Sequence, residues 1–329
     1  MDKTKLLTAI LVVLLVVTGA ASWYIFRNNA GLSSADADQY QAGNTEISSP
    51  VESLDIGWTS GKVDIEYHAG TGIKVTETAS RDLSEDEKLR WWLDGSTLRI
   101  RYIKSGINVT FNLNKSLTVS LPEGTTLKKA TVSVTSADVN VPVLTADEIF
   151  FDSTSGDIAA VTETQRLNAS STSGNMRIQQ NGDLDSAALT STSGGISLTL
   201  AGAKNLEVRS TSGSIYVTAS GAVGNVRLHS TSGIVVPDLM DTDNADFTST
   251  SGEITAKLLS FRDLKINTTS GDVTLKLPEP PGFTCRIGSK LTRFSSELSM
   301  ETSGNTCTFG DGSASCAVST SSGSIRITK

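Results

Sequence analysis

The sequence predicts an all-β protein, a parallel β-solenoid built from coils of about 19 residues. Three observations predict it. The tetrapeptide Ser-Thr-Ser-Gly, or a close variant, recurs at an almost constant interval. Apolar residues alternate with polar ones inside each interval. Serine and threonine make up 85 of the 329 residues, whereas aromatic residues are only 5%. A period near twenty is typical of stacked repeats, and alternation is typical of strands.

The repeat is marked by the glycine that ends each tetrapeptide. Successive glycines are 18, 20, 19, 20, 19 and 19 residues apart, and after a gap of 33 residues two more follow, 19 apart. We predict that each of them forms the same tight corner of its coil and has a positive φ, which favours glycine. The predicted corner glycines are Gly156, Gly174, Gly194, Gly213, Gly233, Gly252, Gly271, Gly304 and Gly323.

The apolar positions predict two short inward-facing strands in each coil. They lie two and four residues after the corner glycine, as at Ile196 and Leu198, and seven and five residues before the next, as at Leu206 and Val208. We expect a variable turn to join the two strands opposite the corner. Four inward side chains contribute roughly 6–12 kcal/mol, whereas ordering one coil costs roughly 20–40 kcal/mol. The coils must therefore stack as parallel ladders to be stable.

A serine three residues before each early corner glycine falls on the inward phase of the alternation. Its hydroxyl can donate and accept hydrogen bonds along a stacked column. We interpret this column as a structural ladder at the corner, and a ligand-binding surface is the alternative. The serines concerned are Ser153, Ser171, Ser191, Ser210, Ser230 and Ser249.

The N-terminus, residues 1–27, is predicted to be a cytosolic end followed by a transmembrane anchor. Residues 6–26 are almost all apolar and, as a helix, would span roughly 30 Å. Lys3 and Lys5 precede this run, so the positive-inside rule places the N-terminus in the cytosol and the remainder outside. The alternative is a cleaved signal peptide, with the small residues 19–21 as the cleavage site.

Three further regions follow the predicted anchor. Residues 28–50 are small, polar and acidic, which predicts a flexible linker. Residues 51–145 show weaker copies of the pattern and are predicted to be a degenerate N-terminal part of the solenoid. Residues 146–329 form its regular part. Trp58, Trp91 and Trp92 are large enough to cover the open end of the stack.

All three cysteines fall in the last 45 residues, at positions 285, 307 and 316. Cys307 and Cys316 flank Asp311 and Gly312, so a strand-turn-strand could bring them together as a disulfide. The alternatives are Cys285 stacked against Cys307, and three reduced thiols. Either pairing leaves one thiol over.

The residues offer little from which to build catalytic chemistry. We predict no catalytic residue, no cofactor and no metal site. Five acidic or amide residues between positions 238 and 246 lack the EF-hand spacing and indicate an acidic turn. Glu253 and Asp272 are the one pair of acids in equivalent positions of adjacent coils. The net charge of −7 argues against a nucleic-acid partner.

The order of motifs resembles a bacterial family of putative adhesins, a domain of unknown function with β-strand repeats. The resemblance covers roughly residues 50–329. It implies an extracytoplasmic β-helix, with some relatives linked to envelope stress responses, and no established catalytic residue. The motifs that carry it are residues 61–65, 94–100 and 117–122 and the repeated Thr-Ser-Gly corners.

These observations favour a non-enzymatic interaction or stress-sensing module at the bacterial cell membrane, exposed outside the cell. Its partner would be an envelope protein or a surface glycan. The alternatives are an adhesin for surface glycans and a β-helical carbohydrate-active enzyme that uses Glu253 and Asp272. We also expect the last coil, residues 305–329, to leave an unpaired edge that permits end-to-end self-association.

Overall fold

The computed structural model describes residues 36–104, 113–288 and 293–329. It contains 24 strands and two 3-10 helical turns, Ala37–Gln39 and Glu85–Glu87. The strands of the N-terminal third are β1 (Gln41–Ala42), β2 (Thr45–Ile47), β3 (Ser53–Trp58), β4 (Gly61–His68), β5 (Ile73–Ala79), β6 (Arg90–Asp94), β7 (Thr97–Arg101), β8 (Lys115–Pro122) and β9 (Leu127–Val134).

The central repeats and the C-terminal end supply the other strands. The central strands are β10 (Asp138–Ser153), β11 (Ile158–Glu163), β12 (Arg166–Ser171), β13 (Met176–Ser191), β14 (Ile196–Ser210), β15 (Ile215–Ser230), β16 (Val235–Ser249) and β17 (Ile254–Thr268). The last strands are β18 (Val273–Lys276), β19 (Phe283–Gly288), β20 (Phe294–Ser296), β21 (Glu301–Ser303), β22 (Thr306–Phe309), β23 (Ala314–Thr320) and β24 (Ile325–Thr328).

Hydrogen bonding joins the 24 strands into one sheet that bends around one apolar core, and we call its two facing halves sheet A and sheet B. Sheet A contains the strand segments that follow a corner, and sheet B contains those that precede one. The alternating residues predicted to face inward are buried, including Ile196 and Leu198 from sheet A and Leu206 and Val208 from sheet B. The all-β solenoid predicted from the repeat is confirmed, since β10 to β18 pair only in parallel.

Most regular coils are one long bent strand rather than two strands joined by a turn; the coil of β11 and β12 is the exception, with a break at residues 164–165. Strands β13 to β17 run for 15 or 16 residues and pass from sheet A to sheet B without a break. The ladder shifts register only at the bend, for example between Leu200 and Ala203. A bulge absorbs the extra residue of a 20-residue coil without breaking the backbone ladder. In β13 to β17 the variable turns predicted from the sequence are therefore bends.

The corner glycines are required by close backbone approach and not by a positive φ. None of the eight predicted corner glycines that stack in this column has a positive φ, whereas Gly304, with φ 59°, lies in a hairpin. Gly61, at the equivalent position of β4, has φ 93°. A Cβ added at Gly194 would lie 2.0 Å from the carbonyl oxygen of Gly174, and one at Gly213 would lie 2.0 Å from that of Gly194. At these stacked positions, close approach of the neighbouring backbone therefore explains why glycine is needed.

The corner hydroxyls are buried, and four of the six bond to the backbone of a corner glycine instead of to the next hydroxyl, whereas the Ser191 and Ser210 hydroxyls have no hydrogen-bond partner among the described residues. The Ser153 hydroxyl donates to Gly156 O at 2.5 Å. The Ser230 and Ser249 hydroxyls accept from the backbone N–H groups of Gly233 and Gly252, both at 2.9 Å. These hydroxyls thus satisfy N–H and C=O groups of the corner glycines that the tight bend leaves unpaired in the ladder.

The N-terminal end of the solenoid is not built in chain order. Strands β3 and β4 insert between β7 and β9 in sheet B and between β8 and β10 in sheet A. Antiparallel pairing of β5 with β8 and of β6 with β7 then continues the two sheets outward. Trp58 is fully buried inside this end, while Trp91 and Trp92 are only partly buried on β6. Residues 51–145 are therefore a mixed cap as well as degenerate coils.

The C-terminal end is also built by inserting two strands out of chain order. Strands β23 and β24 stack directly on β17 and β18, so Gly323 follows Gly271 in the corner column, and β19 and β20 lie outside them. Gly304 is a turn between β21 and β22 and is absent from the column, which corrects its assignment as a repeat corner. The last coil is covered on both sides, so the unpaired edge on which end-to-end association was predicted does not exist there.

The predicted linker and anchor have different outcomes. Within residues 28–50, strands β1 and β2 pair with β6 and β5, and Ile47 is buried, so this part is an ordered edge and not a flexible linker. The predicted anchor, residues 6–26, lies outside the described residues. Across 36–104, 113–288 and 293–329, no helix is long and apolar enough to cross a membrane.

Candidate functional site

A groove runs along the outer face of sheet B, across successive coils. We call it the sheet B groove. Its main part encloses about 700 Å³ and extends from β13 to β23. A second part of about 450 Å³ continues it toward β9, and both parts share Ala188. Small side chains such as Ser186 and Ala317 leave this space open in an otherwise regular sheet.

One wall of the sheet B groove is a row of amides at equivalent positions of adjacent coils. Asn205, Asn225 and Asn244 are in register on β14, β15 and β16. The Nδ2 of Asn225 donates to Asn205 Oδ1 at 3.0 Å, and the Nδ2 of Asn244 donates to Asn225 Oδ1 at 2.8 Å. Each of these Nδ2 groups carries a second N–H that can be offered to a ligand. The row therefore presents regularly spaced donors along the solenoid.

The other wall is a row of alternating charge. Glu207, Arg227, Asp246 and Lys265 are in register on β14 to β17. Within the described chain, neither Arg227 nor Lys265 forms an ion pair, and the Oδ1 atom of Asp246 is buried without a hydrogen-bond donor. Buried polar atoms are normally satisfied. This wall therefore retains hydrogen-bonding capacity that the fold does not use.

His229 borders the main part of the sheet B groove. Its Nδ1 lies 2.7 Å from the Thr248 hydroxyl. Burial, together with the neighbouring Arg209 guanidinium, lowers the pKa of His229 below its usual value. The ring is therefore neutral at pH 7 and can accept or donate a hydrogen bond.

The second part of the sheet B groove contains a half-buried carboxylate. Asp152, on β10, accepts a hydrogen bond from the Ser170 hydroxyl one coil away. Lys129 lies over the Phe150 ring beside it, 4.5 Å from the ring centroid. Burial raises the pKa of Asp152, and the Ser170 hydrogen bond only partly offsets this effect.

We expect Asp152→Asn to raise the melting temperature at pH 7 by roughly 1–3 °C. The folded pKa of Asp152 lies above its unfolded value, so the ionised carboxylate costs stability at neutral pH. That cost disappears as the pH falls through the folded pKa, so the two proteins should converge in acid. Thermal unfolding between pH 3 and 7 measures this. Asp185→Asn is the control, because Lys204 lowers the pKa of Asp185; an equal gain there would contradict the assignment.

The acids considered from the sequence are engaged with the fold. Asp272 Oδ1 accepts from the backbone N–H and the hydroxyl of Ser324, at 2.7 and 2.9 Å, and these bonds lower its pKa. Glu253 accepts from the Thr255 hydroxyl at 2.8 Å. A general acid needs the opposite, a raised pKa. This pair lies on sheet A and has no part in the sheet B groove.

The predicted acidic turn is also placed differently. Residues 238–246 belong to the bent strand β16. Asp238 pairs with Lys257 at 3.1 Å and Asp243 with Arg262 at 2.7 Å, both on the next coil. Among the residues with described positions, no group of three or more His, Cys, Asp or Glu side chains is arranged to hold a metal ion.

The cysteines are arranged differently from the predicted Cys307–Cys316 pair. Strand β19 lies between β22 and β23, so Cys285 is the neighbour of both other cysteines and separates them. All three are free and buried. The turn at Asp311 and Gly312 leads β23 past β22 to the far side of β19, which the sequence did not reveal.

Sequence reasoning missed the sheet B groove. Its polar residues occupy the outward positions of the repeat, to which no role was assigned from the sequence. A detectable signal was present, because asparagine recurs at 205, 225 and 244 and opposite charges alternate two positions later. Equivalent positions of successive coils lie side by side, so such vertical rows, and not linear motifs, define the surface of a solenoid.

The fold and the groove define a two-sheet β-solenoid that carries an elongated polar surface. The chain belongs to the Toastrack DUF4097 family, whose model matches residues 51–261 and 160–328. This confirms the resemblance seen in the sequence. No curated protein matches the chain.

Several solved structures are similar at low identity. A putative lipid binding protein from Parabacteroides distasonis is 16% identical, with 88% of this chain and 97% of that chain covered and a TM-score of 0.45. A putative adhesin from Bacteroides fragilis is 14% identical, with 88% and 96% covered and a TM-score of 0.37. A putative cell adhesion protein from Clostridium sporogenes is 12% identical, with 88% and 99% covered and a TM-score of 0.20.

Proposed function

We propose that this protein is a non-enzymatic interaction module of the bacterial cell envelope that binds an elongated polar partner in the sheet B groove. The observation that carries the proposal is the unused hydrogen-bonding capacity of the groove wall: Arg227 and Lys265 without ion-pair partners among the described residues, and a buried Asp246 oxygen without a donor. An elongated partner fits because the groove crosses at least five coils.

The envelope location is part of this proposal and rests on sequence. Residues 6–26 are long enough and apolar enough to anchor the chain, and the lysines before them favour an N-terminus inside the cell. Presenting the solenoid outside the membrane would explain a sensing or adhesive role. Fractionation of cells expressing the full chain, followed by protease treatment of intact cells, tests this placement; a full chain recovered without membranes would contradict it.

Surface glycans are a second candidate partner, and the amide row favours them. Asn205, Asn225 and Asn244 offer N–H groups at one-coil intervals, which suits a polymer rich in hydroxyl acceptors. The main part of the groove has no aromatic side chain among its lining residues. Recognition there would therefore depend on hydrogen bonds and charge and not on ring stacking.

Co-sedimentation of the full chain with isolated envelopes tests the function. Replacing both Arg227 and Lys265 by alanine should weaken binding at least tenfold, because each side chain offers several charge-assisted hydrogen bonds. The matched control is Arg177→Ala, which removes an exposed cation from the outer face of sheet A. Equal losses in both variants would reduce the effect to general charge attraction and contradict the site.

Protease treatment of the envelopes separates the two partner classes. Loss of binding after treatment identifies a protein partner and supports interaction or sensing. Binding that survives treatment identifies a glycan or lipid and supports adhesion. Absence of binding to untreated envelopes would contradict the proposed function itself.

A further inference from the structure

The three cysteines lie side by side on adjacent strands at the C-terminal end of sheet B. Cys285 on β19 is in register with Cys316 on the parallel strand β23 and with Cys307 on the antiparallel strand β22. Their exposed fractions are 0%, 3% and 0%. Side chains in register on neighbouring strands point to the same face. All three thiols therefore face the same core.

The two possible partners of Cys285 differ in where their sulfur atoms lie. The Sγ atoms of Cys285 and Cys316 are 2.9 Å apart. A disulfide has an S–S distance near 2.05 Å, so only a small side-chain rotation separates this pair from a bond. The Sγ of Cys307 instead lies 3.8 Å from the Thr302 hydroxyl on β21. The geometry singles out Cys316.

We propose that Cys285 and Cys316 form an oxidisable pair that closes to a disulfide. The bond locks the inserted C-terminal coil, β23 and β24, to the strands that cover it, β19–β22. The two thiols release two protons and two electrons as the S–S bond forms. A small-molecule or protein disulfide accepts the electrons and is reduced to two thiols. Cys307 remains a free thiol.

The location of this pair explains why a bond there matters. Strand β23 follows the β20 to β22 excursion along the chain, yet it inserts between β17 and β19. The ladders of β19 and β20 hold β19–β22, which we call the C-terminal cap, against this inserted coil. A disulfide from β19 to β23 closes a loop that contains β20, β21 and β22. It therefore restricts the unfolded chain most strongly at the C-terminal end of the solenoid.

The pair is expected to react during folding and not afterwards. Hydrogen bonding to the Cys285 thiol and burial raise the pKa of Cys316 well above its usual value. The reactive thiolate is then scarce in the folded protein, and an oxidant cannot reach it. Exchange is therefore fast only before β23 has closed onto β19.

The test is refolding of the full chain from reducing denaturant with either oxidised or reduced glutathione. Free thiols are then alkylated in denaturant, and the chain is cleaved with trypsin and on the amino side of Asp311. The second cleavage is needed because residues 294–326 contain no tryptic site before Arg326. The expected product links residues 277–286 to residues 311–326, and Cys307 is found alkylated in the separate peptide 294–310. Three alkylated cysteines, or a linkage that includes Cys307, would overturn the proposal.

Two variants keep the test independent of folding failure. Oxidation should raise the melting temperature by roughly 5–10 °C. Cys307→Ser should keep this gain, and Cys285→Ser should lose it while melting like the reduced parent. A gain that persists in Cys285→Ser, or one that is absent from the correctly linked parent, would contradict the locking role.

Discussion

Gly194→Ala should destabilise the solenoid by about 3 kcal/mol or more, whereas alanine at the next residue should be almost neutral. At Gly194 an added Cβ would lie 2.0 Å from the carbonyl oxygen of Gly174 and 2.6 Å from its carbonyl carbon. Both are backbone atoms held by ladders on each side, so relief requires two coils to separate. Overpacking a rigid site typically costs 1–3 kcal/mol and more where backbone must move.

Gly195 provides the matched control in the same coil. Its added Cβ would meet nothing nearer than the Asn175 side chain at 3.4 Å. The equivalent positions of other coils carry Asp157, Ser214 and Ile234, so a side chain fits there. We expect Gly195→Ala to change the free energy of unfolding by no more than about 0.5–1 kcal/mol.

Urea unfolding followed by circular dichroism measures both variants. The transition midpoints should differ clearly between the two variants, with Gly194→Ala well below the parent. A positive-φ explanation of the corner predicts a cost of only about 1–2 kcal/mol. Equal midpoints for the two variants would show that the corner can relax and would contradict the close-approach account.

Lys115→Met should destabilise the N-terminal end by about 3–5 kcal/mol, the usual cost of breaking a buried ion pair. The Lys115 side chain is 0% exposed, and its Nζ lies 2.9 Å from the Oε2 of Glu77, which is 5% exposed. The Nζ also donates to Glu87 O at 2.6 Å and to Tyr102 O. Methionine fills similar space but leaves the Glu77 carboxylate and two carbonyl groups without this donor.

Aromatic rings complete the environment of Lys115. The Nζ lies 5.1 Å from the Trp58 ring centroid and 4.4 Å from that of Tyr102. Burial lowers the pKa of Lys115 despite the attraction of Glu77. The cluster joins β8, β5 and the helical turn at Glu85–Glu87, which are distant in sequence. It therefore holds the cap to the first coils.

Thermal unfolding of Lys115→Met, Glu77→Gln and the double variant measures the coupling. Each single change should lower stability strongly, and the double variant should recover part of the loss because no buried charge remains. Lys204→Met is the control, since Lys204 and Asp185 form an ion pair with exposed fractions of 77% and 46%, which is worth little. A loss for Lys115→Met no larger than for Lys204→Met would contradict this interpretation.

The sequence by itself determined the repeat and the core. The period of the glycines equals the register of the ladders, as in the pairs Ile196 to Ile215 and Ile215 to Val235. Alternation correctly assigned the buried face of every regular coil. These features are local and recur in every coil. The position of a corner or an inward side chain that is unclear in one repeat can therefore be predicted from the other repeats.

Only the tertiary structure decided how the two ends are built and which residues share the outer surface. The insertions of β3 with β4 and of β23 with β24 depend on pairing between segments that are far apart in sequence, and no local pattern records such pairing. Because β23 and β24 insert in this way, Gly304 lies outside the corner column and Cys316 is in register with Cys285. The sheet B groove likewise exists only across coils, because the stacking of strands brings residues some 19 positions apart into contact.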